Sequence, residues 1–324
     1  MTALTQQQAA YFAQTFDRMV ANVCGAIMGK EHVVRLALTC LVAEGHLLLE
    51  DYPGTGKTVL AKAIANTVQG NHSRIQFTPD LLPSDVTGVN IYDQKRQEFE
   101  FHEGPVFRSI VLADEINRAS PKTQSALLEA MEERQVTIDG VTRKLGRPFM
   151  VIATQNPIEH AGTYRLPEAQ LDRFLMKTSV GYPDHNATVA LLVDAANRDR
   201  SSGVSAVIGA NAVTQLSGAA DQVHTDHAIL GYVSRIADAT REHPDVRLGL
   251  SVRGCLAYVR CAKAWAVAKG RPMVLPDDVK ELAQPVLGHR LVLRPEAQFD
   301  GTRVEDVVEK ILVDVPPPQQ RGQF

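Results

Sequence analysis

The chain lacks any pair of cysteines close enough to suggest a metal site or a closed loop. Cys24, Cys40, Cys255 and Cys261 show no CxxC spacing, which argues against a zinc ribbon or a disulfide framework and leaves buried, reduced thiols as the expectation. No stretch approaches the roughly 20 apolar residues that span a bilayer. The opening Met1-Thr2-Ala3-Leu4-Thr5-Gln6 has neither a basic nor an apolar signal region, so a cytoplasmic protein without membrane insertion is expected. There is no excess of one charge either. A net charge of -3 draws the chain toward neither nucleic acid nor an anionic membrane surface. Internal repeats, zinc-finger patterns and helix-turn-helix patterns are also missing.

What is present is ordinary globular composition over 324 residues, with 44% hydrophobic and 22% charged. That argues against long disorder and leaves room for two domains. The first half alternates short apolar runs with helical patterns, as a parallel sheet with crossover helices does. Candidate strands are residues 46–50, 74–77, 109–113 and 149–153, whose near-continuous apolar runs suit strands covered on both faces. Two segments interrupt the alternation. Residues 86–103 have weak period-two character, and residues 134–145 read as a hairpin around Asp139-Gly140. After Tyr182-Pro183 the pattern turns to helix after helix, so a domain boundary is expected near Asp184, with a frayed tail over residues 315–324. The fold class expected is α/β: a P-loop parallel sheet with a C-terminal all-helical domain.

Three segments carry chemistry. Asp51-Tyr52-Pro53-Gly54-Thr55-Gly56-Lys57-Thr58 follows an apolar strand and precedes the helical run from Val59, which is the context a phosphate-binding loop demands. Its glycines let backbone N–H groups face phosphate, and the helix N-terminus adds partial positive charge. Lys57 would neutralise the β- and γ-phosphates, and the Thr58 hydroxyl would ligate Mg²⁺. The general pattern opens with Gly where this chain has Asp51, a residue that tolerates turns. Next, Ile110-Val111-Leu112-Ala113 ends in Asp114-Glu115: a buried strand delivering a metal ligand and a base to the sheet edge. Without the upstream loop the same residues would read as a strand leaving into a charged turn. Third, Val151-Ile152-Ala153-Thr154-Gln155 leads to Asn156-Pro157. Asn156 could contact the γ-phosphate or water there, although alone an Asn before Pro is simply a turn.

These segments, together with Asp114-Glu115-Ile116-Asn117-Arg118, residues 123–136 and Leu166-Pro167-Glu168-Ala169-Gln170-Leu171-Asp172-Arg173-Phe174, resemble the MoxR family, in the helix-2-insert branch of AAA+ ATPases. The resemblance runs from Ile27-Met28-Gly29 to Pro183 for the ATPase core and continues into a lid domain. It implies ATP and Mg²⁺ as ligands. Pro53, Gly54, Thr55, Gly56, Lys57, Thr58, Val59, Ile27, Met28 and Gly29 would contact nucleotide, and Thr58 and Asp114 would serve the metal. It also implies Glu115 as the base, Asn156 as sensor 1 and Arg253 as sensor 2. Arg173 would be an arginine finger acting in trans, expected far from Lys57 because it follows the last strand of the core. Val252 stands where family members usually have Pro. The insertions at 86–103 and 134–145 resemble the helix-2 insert and the pre-sensor-1 hairpin, which face the pore or the client.

The remaining charges read as surface. Ser120-Pro121 marks a helix start whose buried stripe holds Leu127 and Met131, with Glu129, Glu132 and Glu133 on a solvated face. Arg118 and Arg134 are likewise expected at the surface. The function expected is a homo-oligomeric ATPase, a ring of six by family likeness, that remodels or matures partner proteins. Partners with von Willebrand A domains are implied by the resemblance alone. A chelatase-type motor subunit is the nearest alternative. A nucleic-acid motor is disfavoured by charge, a σ54 activator by the missing Gly-Ala-Phe-Thr-Gly-Ala loop, and a silent nucleotide-binding scaffold by the intact Glu115 and Arg173.

Overall fold

Period-two alternation within three apolar runs builds the centre of the molecule. A computed structural model describes residues 4–156, 164–193 and 200–318. Two helices, α1 (Gln6–Cys24) and α2 (Glu31–Val42), precede strand β1 (Leu47–Glu50). The first begins with a capping box, in which Thr5 and Gln8 satisfy each other's backbone N–H groups. Then come α3 (Lys57–Thr67), β2 (His72–Gln76), α4 (Pro83–Thr87), the pair β3 (Gly88–Asp93) and β4 (Glu98–Glu103), and β5 (Ile110–Asp114). Next are α5 (Pro121–Glu133), the pair β6 (Gln135–Ile138) and β7 (Val141–Lys144), β8 (Met150–Gln155), α6 (Glu168–Leu171) and β9 (Met176–Thr178).

Strands β2, β5, β8, β1 and β9 form one parallel sheet in that spatial order. Each expected strand is present within two residues of its expected ends. The fifth, β9, went unrecognised because three residues, Met-Lys-Thr, carry no periodicity. In the central strands Leu47, Leu49, Ile110, Leu112, Met150 and Ile152 face one apolar cluster. Leu48, Val111, Ala113, Val151 and Ala153 face the other. Alternation thus sends neighbours to opposite faces of a sheet covered on both sides.

The hairpin around Asp139-Gly140 is β6–β7, with both turn residues at positive φ, as a type I′ turn needs. The weak period-two segment is largely the antiparallel pair β3–β4.

After β9 the chain enters α7 (His185–Val193), α8 (Ala210–Asp221), α9 (His227–Glu242), β10 (Val246–Leu248) and α10 (Val252–Ala268). It ends with α11 (Pro276–Glu281), α12 (Ala283–Leu287), β11 (Val292–Leu293), α13 (Pro295–Phe299) and α14 (Val304–Asp314). This part is not purely helical: β10 and β11 pair antiparallel, a ribbon too short to register in the sequence. Its core is not separate either. Tyr258, Cys261, Trp265 and Val279 join the same cluster as Phe12, Phe16 and Met19 of α1 and the lower face of the sheet. Of the expected tail, residues 319–324 lie outside the described residues, as do Met1–Ala3 and Pro157. No helix among the described residues is long and apolar enough to cross a membrane. Two of the four free thiols, Cys40 and Cys261, are buried, and burial pushes Cys261 up to about 12; Cys24 and Cys255 are only partly covered.

His46, just before β1, is fully buried. Its Nδ1 accepts from the Val151 N–H (2.9 Å) and its Nε2 faces the Met131 carbonyl at 3.1 Å, so the neutral ring satisfies both partners. Burial lowers its pKa from 6.5 to about 4. An unfolded chain therefore binds a proton here that the folded chain refuses, and stability should fall as pH drops from about 6.5 toward 4. His289, also lowered by burial and then by Arg290, acts in the same direction. Urea melts across that range should show the decline, and His46→Asn should flatten part of it.

Candidate active site

Three adjacent strands end on the same edge of the sheet. Beyond β1 lies the loop of residues 51–56, beyond β5 lies Glu115, and beyond β8 lies Asn156. Parallel pairing with matched registers brings them together: Glu50 opposes Gln155, and Ala113 opposes Ala153. The result is a cleft of about 370 Å³ lined by Pro53 to Val59, Arg74, Asp114, Glu115, Thr154 and Asn156. Gly54 and Gly56 have φ of +81° and +94°, with open space where a Cβ would sit. Backbone conformation, not crowding, demands glycine at both positions. Lys57 Nζ folds back on the carbonyls of Tyr52 (3.0 Å) and Asp51 (3.3 Å).

Asp114 is buried and held on both oxygens. The Thr154 hydroxyl donates to Oδ1 at 2.6 Å and Arg74 Nη2 to Oδ2 at 2.5 Å. The same hydroxyl accepts the Glu115 N–H at 2.9 Å. Glu115 sits at φ 57°, a left-handed conformation unusual for its type, and its Oε2 accepts from Gln76 and Arg118, each at 2.8 Å. Arg118, expected at the surface, thus pairs with a cleft carboxylate. Arg74, Gln76 and Thr154 were not singled out in the sequence. The available signal was Arg74 and Gln76 two apart on one strand, hence on one face.

Asp51 does more than tolerate a turn. It is 2% exposed, and its carboxylate accepts the N–H groups of Val180 (2.5 Å), Gly181 (3.1 Å) and Tyr52 (3.2 Å). The Tyr52 ring stacks on Tyr182 at 6.0 Å. The loop is therefore tied to the segment that leads from β9 into α7.

Other expected site residues lie elsewhere. Ile27 is buried, and Gly29 at φ +70° packs toward Ala187. Met28 lines a separate cavity with Asn22, Gly25 and Arg200. None of the three lines the cleft. Arg173 does not follow the last strand of the core, as expected; it precedes β9. Leu175 N–H bonds to the His46 carbonyl, at the start of β1, so Arg173 sits at the N-terminal end of the strands. The loop lies at their C-terminal end, so the separation runs along the strands. Arg253, in the first turn of α10 behind the Ser251 cap, lies beside it. Arg173, Arg253, Arg260 and Arg290 line one pocket of about 250 Å³ with Asp172. Val252 is mostly exposed at the first helical position. Arg134 is not free at the surface but binds the Glu44 carboxylate at 2.6 Å.

Comparison with known proteins shows the family. Residues 46–176 match the model of the ATPase family associated with various cellular activities, and residues 238–311 match the AAA lid domain. Chaperone MoxR1 of Mycobacterium tuberculosis is 41% identical, over 94% of this chain and 83% of its own length. Protein MoxR of Paracoccus denitrificans is 33% identical, over 85% and 88%. The chain belongs to the MoxR family of AAA+ ATPases. The uncharacterized protein YeaC of Bacillus subtilis is 48% identical, over 94% of this chain and 95% of that one. A solved structure from Cytophaga hutchinsonii superposes with a TM-score of 0.90 at 37% identity, covering 97% of this chain and 98% of that one. That solved neighbour thus shares the fold over nearly the whole chain.

The buried Asp51 carboxylate gives the first test of the site's construction. Asp51→Ala should strand the Val180 and Gly181 N–H groups and cost about 1–3 kcal/mol, read as a lower urea midpoint with unchanged m-value.

Proposed function

We propose that this MoxR-family protein binds ATP with Mg²⁺ in the cleft and hydrolyses it to ADP and phosphate within an oligomer that remodels partner proteins. The convergence of Lys57, Thr58, Asp114, Glu115 and Asn156 on one cleft carries the proposal. Backbone N–H groups of the loop and the start of α3 would receive the phosphates, with Lys57 leaving its two loop carbonyls to neutralise their charge. The donor set fits Mg²⁺, since the Thr58 hydroxyl and the Asp114 carboxylate are hard oxygens lining the same space. This ion needs only one or two protein oxygens when phosphates supply others. No cluster of three metal-binding side chains occurs among the described residues. The ion would supply charge neutralisation between the phosphates. Asp114 would share its carboxylate with Arg74. Glu115 would take the proton of the attacking water and Asn156 would orient that water or the γ-phosphate.

Arg173 and Arg253 lie away from this cleft, and their location supports action on a neighbour's nucleotide. A guanidinium supplied that way is worth on the order of 10³–10⁵ in rate. An oligomer follows from this reading, a ring of six by family likeness. The two-domain division near Asp184 and a nucleotide-base contact from residues 27–29 belong to the same proposal, as do partners bearing von Willebrand A domains. The client-facing surface would be the two hairpins. Val89, Ile91, Tyr92 and Phe99 are exposed on β3–β4. The hairpins brace each other through Asn90 to Asp139 (2.6 Å) and Arg143 over the Phe101 ring (3.8 Å).

Glu115→Gln should keep ATP binding and lose turnover by on the order of 10²-fold or more, measured by equilibrium nucleotide binding and phosphate release. Full turnover in that variant would remove Glu115 from the base role. Added DNA should leave the ATPase rate unchanged, and stimulation would favour a nucleic-acid motor.

A further inference from the structure

Glu132, in the last turn of α5, was expected on a solvated face. Instead its two oxygens meet two arginines from different parts of the chain. Oε2 is 3.0 Å from Nε of Arg173, on the sheet side, and Oε1 is 3.1 Å from Nη2 of Arg253, at the head of α10. Among the described residues neither arginine has another ion pair. The neighbouring carboxylate is already committed. Asp172 accepts from Arg290 Nε at 2.7 Å and from the Ser251 hydroxyl at 3.1 Å. Arg290, almost wholly buried, also donates to the Phe174 carbonyl at 2.7 Å. Asp172 and Arg290 thus fix the backbone of the joint between sheet and lid, and Glu132 is left to fix the two functional guanidinium groups.

We propose that Glu132 is a positioning residue that sets Arg173 and Arg253 side by side for a neighbouring protomer's nucleotide. The proposal rests on the reading that these arginines act in trans. Its physical basis is that long arginine side chains are rotamer-rich, and a shared carboxylate reduces the number of orientations in which both must be captured. The contact contributes little to stability. The Glu132 side chain is 35% exposed, and pairs at that exposure are worth about 0–1 kcal/mol. The Arg173 Nε itself is buried and has no aligned hydrogen-bond partner, so its contact with Glu132 is an ion pair without a hydrogen bond. A carboxylate that holds two cations from two domains while barely stabilising the fold is suited to orientation. The pocket remains net positive, because Arg260 lines it with no carboxylate within ion-pair distance among the described residues.

The test is complementation between variants in mixed assemblies, with ATP turnover as readout. Glu132→Ala should lower kcat by as much as about 10²-fold, the scale of misplacing a reacting group. Its KM for ATP should stay near wild type, because Glu132 does not line the nucleotide cleft. Mixing with Glu115→Gln should restore turnover, since that protomer donates intact arginines to the intact cleft of the Glu132 variant. Mixing with Arg173→Ala should not, because both variants are defective on the same face. Glu132→Gln preserves size and one acceptor and should fall in the same complementation class, so a folding defect confined to the alanine variant does not shelter the idea. Unchanged or raised turnover in both Glu132 variants, or restoration by Arg173→Ala, would overturn it. If Arg173→Ala is itself not restored by Glu115→Gln, action in trans fails, and the role of Glu132 falls with it. If Arg173→Ala is restored while the Glu132 variants behave as wild type, only the Glu132 assignment fails.

Discussion

Parallel pairing of β5, β8 and β1 is the constraint from which the site follows. Parallel strands all point the same way, so whatever follows each of them emerges at one edge. Here that edge receives the glycine loop, an Asp-Glu pair and an Asn from segments up to a hundred residues apart in sequence. Buried leucine, isoleucine and valine on both faces hold the strands in register. The cleft therefore needs no specific long-range polar lock to form. It is a consequence of sheet geometry, and the polar contacts within it serve to aim side chains already brought together.

That aiming is visible in how few groups do it. One hydroxyl, Thr154, joins Asp114 to the Glu115 backbone. One carboxylate, Asp51, ties the phosphate loop to the chain leaving β9. That second contact fixes the loop to the segment between β9 and α7, while the C-terminal helices share an apolar cluster with the first helix and the sheet. Movement of the lid relative to the sheet must therefore disturb packing common to both.

The opposite end of the sheet is organised by charge. Arg290 with Asp172, Arg134 with Glu44, and Glu132 with Arg173 and Arg253 lie where the strands begin. The molecule is thus polarised, with the phosphate cleft at one end of the strands and a cationic pocket at the other. A single subunit cannot bring its own two ends together across the sheet. A second copy can, which is what the proposed action of Arg173 in trans requires.

Much of this was legible from local pattern. A glycine loop between strand and helix, a strand ending in Asp-Glu, the cap at Ser120-Pro121 and the turn at Asp139-Gly140 each depend on residues within one or two turns of one another. Their physics is short-ranged, so sequence alone determined the sheet strands with enough periodicity, the phosphate-loop reading and the family. The rest depended on contacts between residues distant in the chain. Strand β9 is too short to carry a period, and the β10–β11 ribbon pairs Val246 with Leu293 and Leu248 with Val292, distant in the chain. Arg74 and Gln76 gain meaning only once β2 lies beside β5. Glu132 has the local surroundings of a solvated helix face; only the tertiary fold brings it Arg173 and Arg253, because side-chain partners distant in the chain are set by tertiary geometry and leave no mark on neighbouring residues.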